Sequence, residues 1–552
     1  MKSQLSSDSP ALLSSSASNL RDWTKARFHR FLKVLETEFH HWKGEYAVLF
    51  AVLLVVQFAA YTYFYTAPTF TDHTFPNTTL FPYPSHKTEE EGRWLADLII
   101  FLQGGSGVQS FQMLCATALQ ALNGILFARF LGLQRKSAIF CIAAILCLHP
   151  VFLDYYSFSI DHITFVLGDT FALLGATVLS LDRTFWPRIL KASVLFMLTI
   201  ASYQPKLALV CFLVVAAVLV RLTGPGKIDA ELPSRRRVML NIQAAGLALL
   251  GALCLYWVTA RPFITADLGV RTHVNTPREV IDACLASYGK FITYFTTGFP
   301  GMRRSLQWVP SLAILTGIIV LLVQAWRRGV WIFISALVAL AGIPLTLRVA
   351  FVINKLAWEG HGRLIFVTAY CFLFFLVYGF RMKVARAFNT FAACLCLYSF
   401  FQLATQETNA AVFKTTYEMN FINRVVARAE LVMDRPNPSK RAVVVAGSYP
   451  AFGSSVYVRH PLANSAEVQS VAFAPYRQRE VLNFLIGREA FRLPTQTEID
   501  RARASMRGRA PWPSAESVYL VDDILVILLE DYRPDLPVTI TPDYGKIALT
   551  LP

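Results

Sequence analysis

The stretch "YAVLFAVLLVVQFAAYTYFYT", residues 46–66, decides the fold class. It contains no charged residue, and charge does not return until Asp72. A helix needs about 20 apolar residues to cross the hydrocarbon core of a bilayer. Residues 1–45 are polar and lack the pattern of a cleavable signal peptide, so we expect the apolar run to serve as a signal anchor.

Comparable apolar runs continue along the chain. Of its 552 residues, 55% are hydrophobic and 16% are charged, whereas soluble domains are about 45–50% apolar and about 25% charged. The sequence therefore predicts an α-helical polytopic membrane protein with about eleven transmembrane helices. The predicted spans are approximately 46–66, 108–130, 137–153, 162–181, 189–203, 206–222, 238–260, 306–325, 330–350, 364–380 and 384–404.

The loops between these spans alternate in charge. If the basic tail 1–45 is cytoplasmic, every loop predicted inside is basic, as the positive-inside rule requires. The formal net charge of +16 lies largely in these loops and tails, so we expect no nucleic-acid partner. The basic residues of the inside loops are Arg129, Arg135, Lys136, Arg183, Arg188, Lys191, Arg221, Lys227, Arg235, Arg236, Arg237, Arg327, Arg328, Arg381, Lys383 and Arg386.

The outside loops carry most of the remaining acidic and histidine residues, so any chemistry is expected on the outer face. These loops are 67–107, 154–161, 202–205, 261–305 and 351–363. The transmembrane region, 46–405, is followed by residues 406–552, which contain no further span. There the helical pattern of "FKTTYEMNFINRVVARAEL" and the strand patterns of "RAVVVAGSYP" and "SVYLVDDILVILLEDY" predict a small extracytoplasmic α/β domain.

The first outside loop, 67–107, is too long for a simple connection. Its segment "EEEGRWLADLIIFLQGG" places Trp94, Leu95, Leu98, Ile99 and Leu102 on one helical face. Such an amphipathic helix is too short to span and is expected to lie at the membrane interface. Asp72 of the same loop would then lie beside lipid headgroups, where a carboxylate can act as a base.

Cations of the outer face are candidate ligands for a lipid-linked phosphate, because guanidinium and ammonium groups pair well with phosphate. They are Arg93, Lys206, Lys355 and Arg363. For Lys206 the alternative is a snorkelling lysine. Asp161 is either a helix cap or part of the site.

Other kinds of site find little support. The sequence has no HExxH and no GxSxG, and its nine cysteines form no CxxC pair, which disfavours a zinc site or a disulfide framework. "VVVAGS" is not followed by a phosphate-binding glycine motif, and an ordinary sheet edge explains it.

Several stretches resemble the polytopic glycosyltransferases of the C superfamily, and within it the bacterial O-antigen-modifying glucosyltransferases of the Gtr type-II kind. The resemblance covers about residues 45–430. It is carried by "TFTDH" (69–73), "EGRWLADLI" (91–99), "LDYYSFSIDHITFVLGDTFALLGA" (153–176), "SYQPKLAL" (202–209) and "FKTTYEMNFINRVVARAE" (413–430).

This resemblance implies an inverting transfer of a sugar, glucose by the family's name, from a polyprenyl-phosphate donor to an envelope glycan or lipid-linked glycan acceptor. The reaction would take place on the outer face of the bacterial inner membrane. It implies that Asp72 is the catalytic base and that Arg93 matches the arginine of the family's "GRW" stretch. His73 stands where relatives often carry a second acid, and Glu89, Glu90 or Glu91 could supply one. Participation of a divalent metal stays open.

Two other classes of function stay open at this point. A transporter or flippase of lipid-linked saccharide would carry charge inside its spans, and Asp169 is the main such residue. A non-catalytic scaffold would use the outer domain to bind a cell-surface polymer.

Overall fold

The computed structural model describes residues 46–67, 83–105, 109–181, 184–223, 235–264, 275–296, 306–353, 366–433, 440–447, 478–536 and 538. The chain divides into two compact units, residues 1–55 and 56–552. The described part of the first unit, 46–55, begins a helix. All contacts given below lie within the second unit. The domain boundaries expected at residues 45 and 405 stay predictions.

The described residues are mostly helical. Each of the eleven predicted apolar segments contains a helix, and eight helices of the described part are long and apolar enough to cross a membrane. The helices are α1 (Ala47–Ala60), α2 (Thr62–Thr66), α3 (His86–Glu89), α4 (Trp94–Leu102), α5 (Gln109–Phe130), α6 (Lys136–Leu148), α7 (Leu153–Ser157), α8 (His162–Leu181), α9 (Phe185–Ser202), α10 (Leu207–Thr223), α11 (Arg235–Ala260), α12 (Pro277–Thr296), α13 (Trp308–Arg327), α14 (Val330–Leu347), α15 (Val349–Ile353), α16 (Val367–Phe380), α17 (Lys383–Val432), α18 (Gln478–Ile486) and α19 (Gln496–Met506).

The eight long apolar helices are α5, α8, α9, α10, α11, α13, α14 and α17, and the shorter apolar helices are α1, α6 and α16. This set is compatible with a polytopic membrane protein. A count of eleven crossings stays a prediction.

The helix α12 lies within the predicted loop 261–305, where the sequence pattern gave no helix. Its start is capped by Thr276 and Glu279: the Glu279 carboxylate accepts from the backbone N–H and the hydroxyl of Thr276, each at 2.9 Å. The sequence "TPRE" has the spacing of a capping box, with proline at the first helical position. This start signal was present in the sequence, and the mixed polarity of the segment obscured it.

The helix α17 is continuous over 50 residues, whereas the sequence predicts a span ending near residue 404 and a separate helix after it. No glycine or proline occurs between Lys383 and Val432, so no residue in this stretch is a strong helix breaker. At 1.5 Å per residue it is about 75 Å long, more than twice the roughly 30 Å of a hydrocarbon core.

Segments predicted on the same side of the membrane contact each other. At one end, the Arg381 guanidinium donates to the Leu131 carbonyl at 3.0 Å, and that of Arg328 to the Leu222 carbonyl at 2.8 Å. At the other end, Asn275 donates to the Val352 carbonyl at 2.8 Å. Residues 83–105 also lie at this second end, because the Tyr256 hydroxyl, near the end of α11, donates to the Gly92 carbonyl at 3.4 Å. We call this end the loop-1 end. The segments that share an end are those expected to do so if successive helices cross the membrane in alternating directions.

The C-terminal part contains a four-stranded sheet with strand order β2-β1-β4-β3. Strand β1 is parallel to β2 and β4, whereas β3 is antiparallel to β4. Side chains of α17 and α18 cover one face, and α19 covers the other. The predicted combination of helices and strands is therefore present in the C-terminal part, whereas its being a separate domain stays a prediction. The strands are β1 (Arg441–Ala446), β2 (Phe491–Arg492), β3 (Val518–Val521) and β4 (Ile524–Leu528).

Candidate functional site at the loop-1 end

The helix α4 carries the predicted amphipathic segment of the first outside loop. Its nine residues are about 13.5 Å long, too short to span. Its buried face packs on α8 and α9 and includes Leu95, Ala96, Ile99 and Ile100. Leu102, predicted on that face, is exposed. The helix therefore places the residues just before it against the ends of two membrane-compatible helices.

Asp97 belongs to this helix and is buried, with 1% of its surface exposed. Its carboxylate accepts from the Ser85 N–H at 2.8 Å, from the Ser85 hydroxyl at 2.6 Å and from the Thr88 hydroxyl at 2.5 Å. The carboxylate thereby fastens the start of α3 to α4. Asp97 is not among the apolar residues that the helical pattern places on one face, and no short-range signal connects it to Ser85.

Asp161 forms an ion pair with Lys87, 2.5 Å between Nζ and Oδ1. Both side chains are largely buried. Asp161 lies in a 3₁₀ turn, Ser159–Asp161, at the start of α8, so the pair joins the first loop to the second. The sequence predicts Asp161 as a candidate site residue but carries no local signal for Lys87, whose partner is 74 positions away.

Arg93 is held by residues of its own loop and of the turn before α10. Its Nη1 lies 2.9 Å from the Glu91 carboxylate, and its Nε donates to the Gln204 side-chain carbonyl at 2.7 Å. The guanidinium lies 4.6 Å from the centroid of the Tyr203 ring. The Gln204 amide also donates to the Glu91 carbonyl. Arg93 is thus positioned by two segments more than 100 residues apart in the sequence.

Lys206 ends the same turn and points into the helices. Its side chain and that of Asp169 are fully buried and form an ion pair. The Lys206 ammonium also donates to the Tyr155 hydroxyl at 3.0 Å, and the Tyr370 hydroxyl donates to the second Asp169 oxygen at 3.0 Å. A Cβ at Gly168 would lie 2.8 Å from Lys206 Cδ, so this glycine leaves room for the lysine stem.

The structure brings only some of the predicted site residues together. Arg93 and Glu91 contact each other beside the turn 203–206, and Asp161 is paired with Lys87. Lys206 ends the same turn, but its side chain is fully buried and paired with Asp169, whereas the sequence predicted it to be grouped with Arg93 at a phosphate site. Glu89 is half-buried and Glu90 is exposed. The candidate base and three further candidates lie outside the described residues; they are Asp72, His73, Lys355 and Arg363.

The described part of the chain contains no group of three or more His, Cys, Asp or Glu side chains arranged to hold a metal ion. The predicted neighbours Asp72 and His73 lie outside that part. Whether a divalent metal takes part therefore stays open.

Comparison with protein-family models, with curated proteins and with solved structures finds no match to this chain.

Proposed function

We propose that this chain is an inverting glycosyltransferase of the bacterial inner membrane. It would move a sugar, glucose by its resemblance, from a polyprenyl-phosphate donor to an envelope glycan such as O-antigen. The loop-1 end would face the periplasm, together with the C-terminal α/β domain. The observation that carries the proposal is the layer of charged side chains at this end, where Lys87, Arg93 and Asp161 are held against membrane-compatible helices.

The proposed reaction needs one base and one group that stabilises the leaving phosphate. Asp72 takes the proton from the acceptor hydroxyl while the acceptor oxygen bonds to the anomeric carbon. The bond from that carbon to the phosphate oxygen breaks, and its electron pair stays on the polyprenyl phosphate. A positioned carboxylate typically contributes about 10²–10⁴-fold to such a step.

Arg93 is the described cation best placed for the leaving group. Charge grows on the phosphate as the glycosidic bond breaks, so a fixed guanidinium stabilises the transition state more than the ground state. Glu91 and Gln204 bind two edges of the guanidinium, which orients the group, and the remaining Nη2 would meet a phosphate oxygen. Its place beside the membrane-compatible helices suits a donor whose lipid tail lies in the bilayer.

The decisive experiment is transfer from polyprenyl-phosphate glucose to candidate envelope glycans by purified protein, read as a mass increase of the acceptor. We expect Asp72→Asn to lower kcat about 10²–10⁴-fold with little change in the donor KM. Asp500→Asn is the matched control, because it makes the same chemical change at an exposed residue of the C-terminal part that is not a candidate site residue. Full activity of D72N would remove Asp72 from the role of base. Absence of transfer by the wild type from every polyprenyl-phosphate donor would contradict the proposed function.

A second candidate, transport of lipid-linked saccharide, is favoured by the ionisable pair Asp169–Lys206 inside the helices, since such residues often mark transport pathways. Proteoliposomes loaded with a fluorescent lipid-linked saccharide distinguish the two functions. Transport predicts wild-type-dependent movement of the lipid between leaflets without any acceptor. The transferase predicts no such movement and product only when an acceptor is present.

A further inference from the structure

We propose that the buried Asp169–Lys206 ion pair is a positioning device that holds Arg93 in place through the turn 203–206. The role of Arg93 toward phosphate rests on the function proposed above. The positioning itself stands on contacts that do not depend on that function.

The inner anchor of this device is fixed from several sides. Lys206 bonds to Asp169 of α8 and Tyr155 of α7, and Asp169 bonds to Tyr370 of α16. A charge buried without a partner is costly, so each member of the pair constrains the position of the other. Lys206 is therefore held at one place relative to three other helices.

The outer end of the device is only two residues away along the backbone. The Lys206 N–H donates to the Tyr203 carbonyl at 2.9 Å and closes the turn, and Pro205 restricts the backbone within it. Within this turn, Tyr203 and Gln204 contact Arg93. A shift of Lys206 must therefore displace the groups that orient the guanidinium.

An apolar pair of similar volume would join the helices at least as stably, because desolvation offsets much of the attraction in a buried ion pair. What the apolar pair lacks is a directed bond at the end of the lysine side chain. That bond fixes the position of the turn 203–206, and the orientation of the Arg93 guanidinium depends on that position.

The test compares the double variant D169L/K206M with T170V in the full-length protein. The double variant removes both charges, so it leaves no unpaired buried charge to prevent folding. Thr170 is the next residue of α8 and is also buried, and its hydroxyl bonds to Asn123 at 2.8 Å without touching the turn. The T170V variant is therefore a matched control for loss of a polar contact inside α8.

The first measurement is hydrogen exchange of peptides covering residues 85–94 and 199–207. We expect exchange in D169L/K206M to be about tenfold faster than in the wild type, the change that loss of one or two bonds produces, and T170V to match the wild type. Unchanged exchange in a folded double variant would overturn the positioning role.

The second measurement is binding of polyprenyl phosphate in R93A, in D169L/K206M and in the triple variant. If the pair acts through Arg93, each of the first two weakens binding about tenfold, and the triple variant binds no more weakly than R93A. Additive losses in the triple variant would overturn action through Arg93. If R93A and the wild type bind equally while the exchange result holds, the positioning stands and the phosphate-binding role of Arg93 fails.

Discussion

A carboxylate buried as deeply as that of Asp97 needs hydrogen-bond donors around it, because burial without them is costly. Ser85 supplies two donors and Thr88 a third. We expect Asp97→Ala to leave these donors unsatisfied and to destabilise the segment 85–93 by about 3 kcal/mol. Hydrogen exchange of that segment should then be roughly a hundredfold faster.

The control for this prediction is Glu90→Ala, which removes an exposed carboxylate seven residues away. Surface substitutions of this kind usually change stability by less than about 0.5 kcal/mol. Equal protection of residues 85–93 in D97A and in the wild type would show that the three bonds do not fasten this segment.

The sequence predicted some residues of the candidate site and not their partners. Arg93 and Asp161 were selected because their charge and their place in outside loops are local properties of the sequence. Lys87 and Gln204 were missed because their importance comes from contacts with residues 74 and 111 positions away. A single sequence does not show which residues so far apart in the chain are in contact.

At the scale of helices, Gly317 lets α13 approach α16 closely. A Cβ at this position would lie 2.6 Å from the Phe375 carbonyl carbon and 2.9 Å from its Cα, so backbone would have to move. We expect Gly317→Ala to destabilise the protein by about 1–3 kcal/mol, measured as a lower Tm in detergent.

Gly342→Ala is the matched control within the neighbouring helix α14, because a Cβ there meets no atom within 4 Å. Alanine favours a helix over glycine by about 0.5–1 kcal/mol, so the Tm of G342A should equal or exceed that of the wild type. A wild-type Tm in G317A would contradict the close packing of α13 on α16.

Glu498, in the first turn of α19, makes the stability of the C-terminal domain depend on pH. The Glu498 carboxylate accepts from Arg492 at 2.6 Å and from the N–H and hydroxyl of Thr495. The Arg492 bond is the main cause that lowers the pKa of Glu498 from its usual value to about 2. Because the pKa is lower in the folded state, the ionised Glu498 carboxylate stabilises the domain at pH values above about 4.5. This stabilisation is lost as the pH falls from about 4.5 toward 2.

Hydrogen exchange of residues 491–506, corrected for intrinsic rates, tests this pH dependence. We expect the protection of wild type to exceed that of E498Q at pH 6 and the difference to shrink at pH 3. A difference that stays constant between these pH values would remove Glu498 as the titrating group.

The sequence predicts those helices and strands that have a short-range pattern of their own. Apolar runs and strand patterns are short-range features, so the apolar helices and β1, β3 and β4 were predicted. The helix α17 continues because no glycine or proline lies between the end of its apolar part, near residue 404, and Val432. The apolar pattern alone does not show this, because it ends before the helix does. The polarity of residues 406–430 therefore predicts the end of one element and the start of another, although the helix continues.

For the whole molecule, two independent patterns agree. The basic loops alternate along the sequence, and the contacts bring Arg381 together with Leu131 but Asn275 together with Val352. Charge alternation predicts which end is cytoplasmic, whereas the contacts state only which segments share an end. Together they predict that residues 83–105 and the C-terminal domain face outward.

Cysteine labelling in intact cells tests this orientation. Arg135 precedes α6 at the predicted inner end, and Arg507 follows α19 in the C-terminal domain; both are exposed. In a background carrying Cys284→Ser, a membrane-impermeant maleimide should label R507C and leave R135C unlabelled until the cells are permeabilised. Eight of the nine native cysteines lie in or beside apolar runs, so the C284S parent should give a low background.

The labelling pattern distinguishes the predicted orientation from the inverted one and from a different number of crossings. Labelling of R135C alone in intact cells would invert the molecule and place the loop-1 end in the cytoplasm, where the proposed donor and acceptor would not meet it. Labelling of both positions in intact cells would mean that the crossings between residues 135 and 507 are not the odd number that the predicted spans give. Labelling of R507C alone requires that odd number, because an even number of crossings returns the chain to the side from which it started.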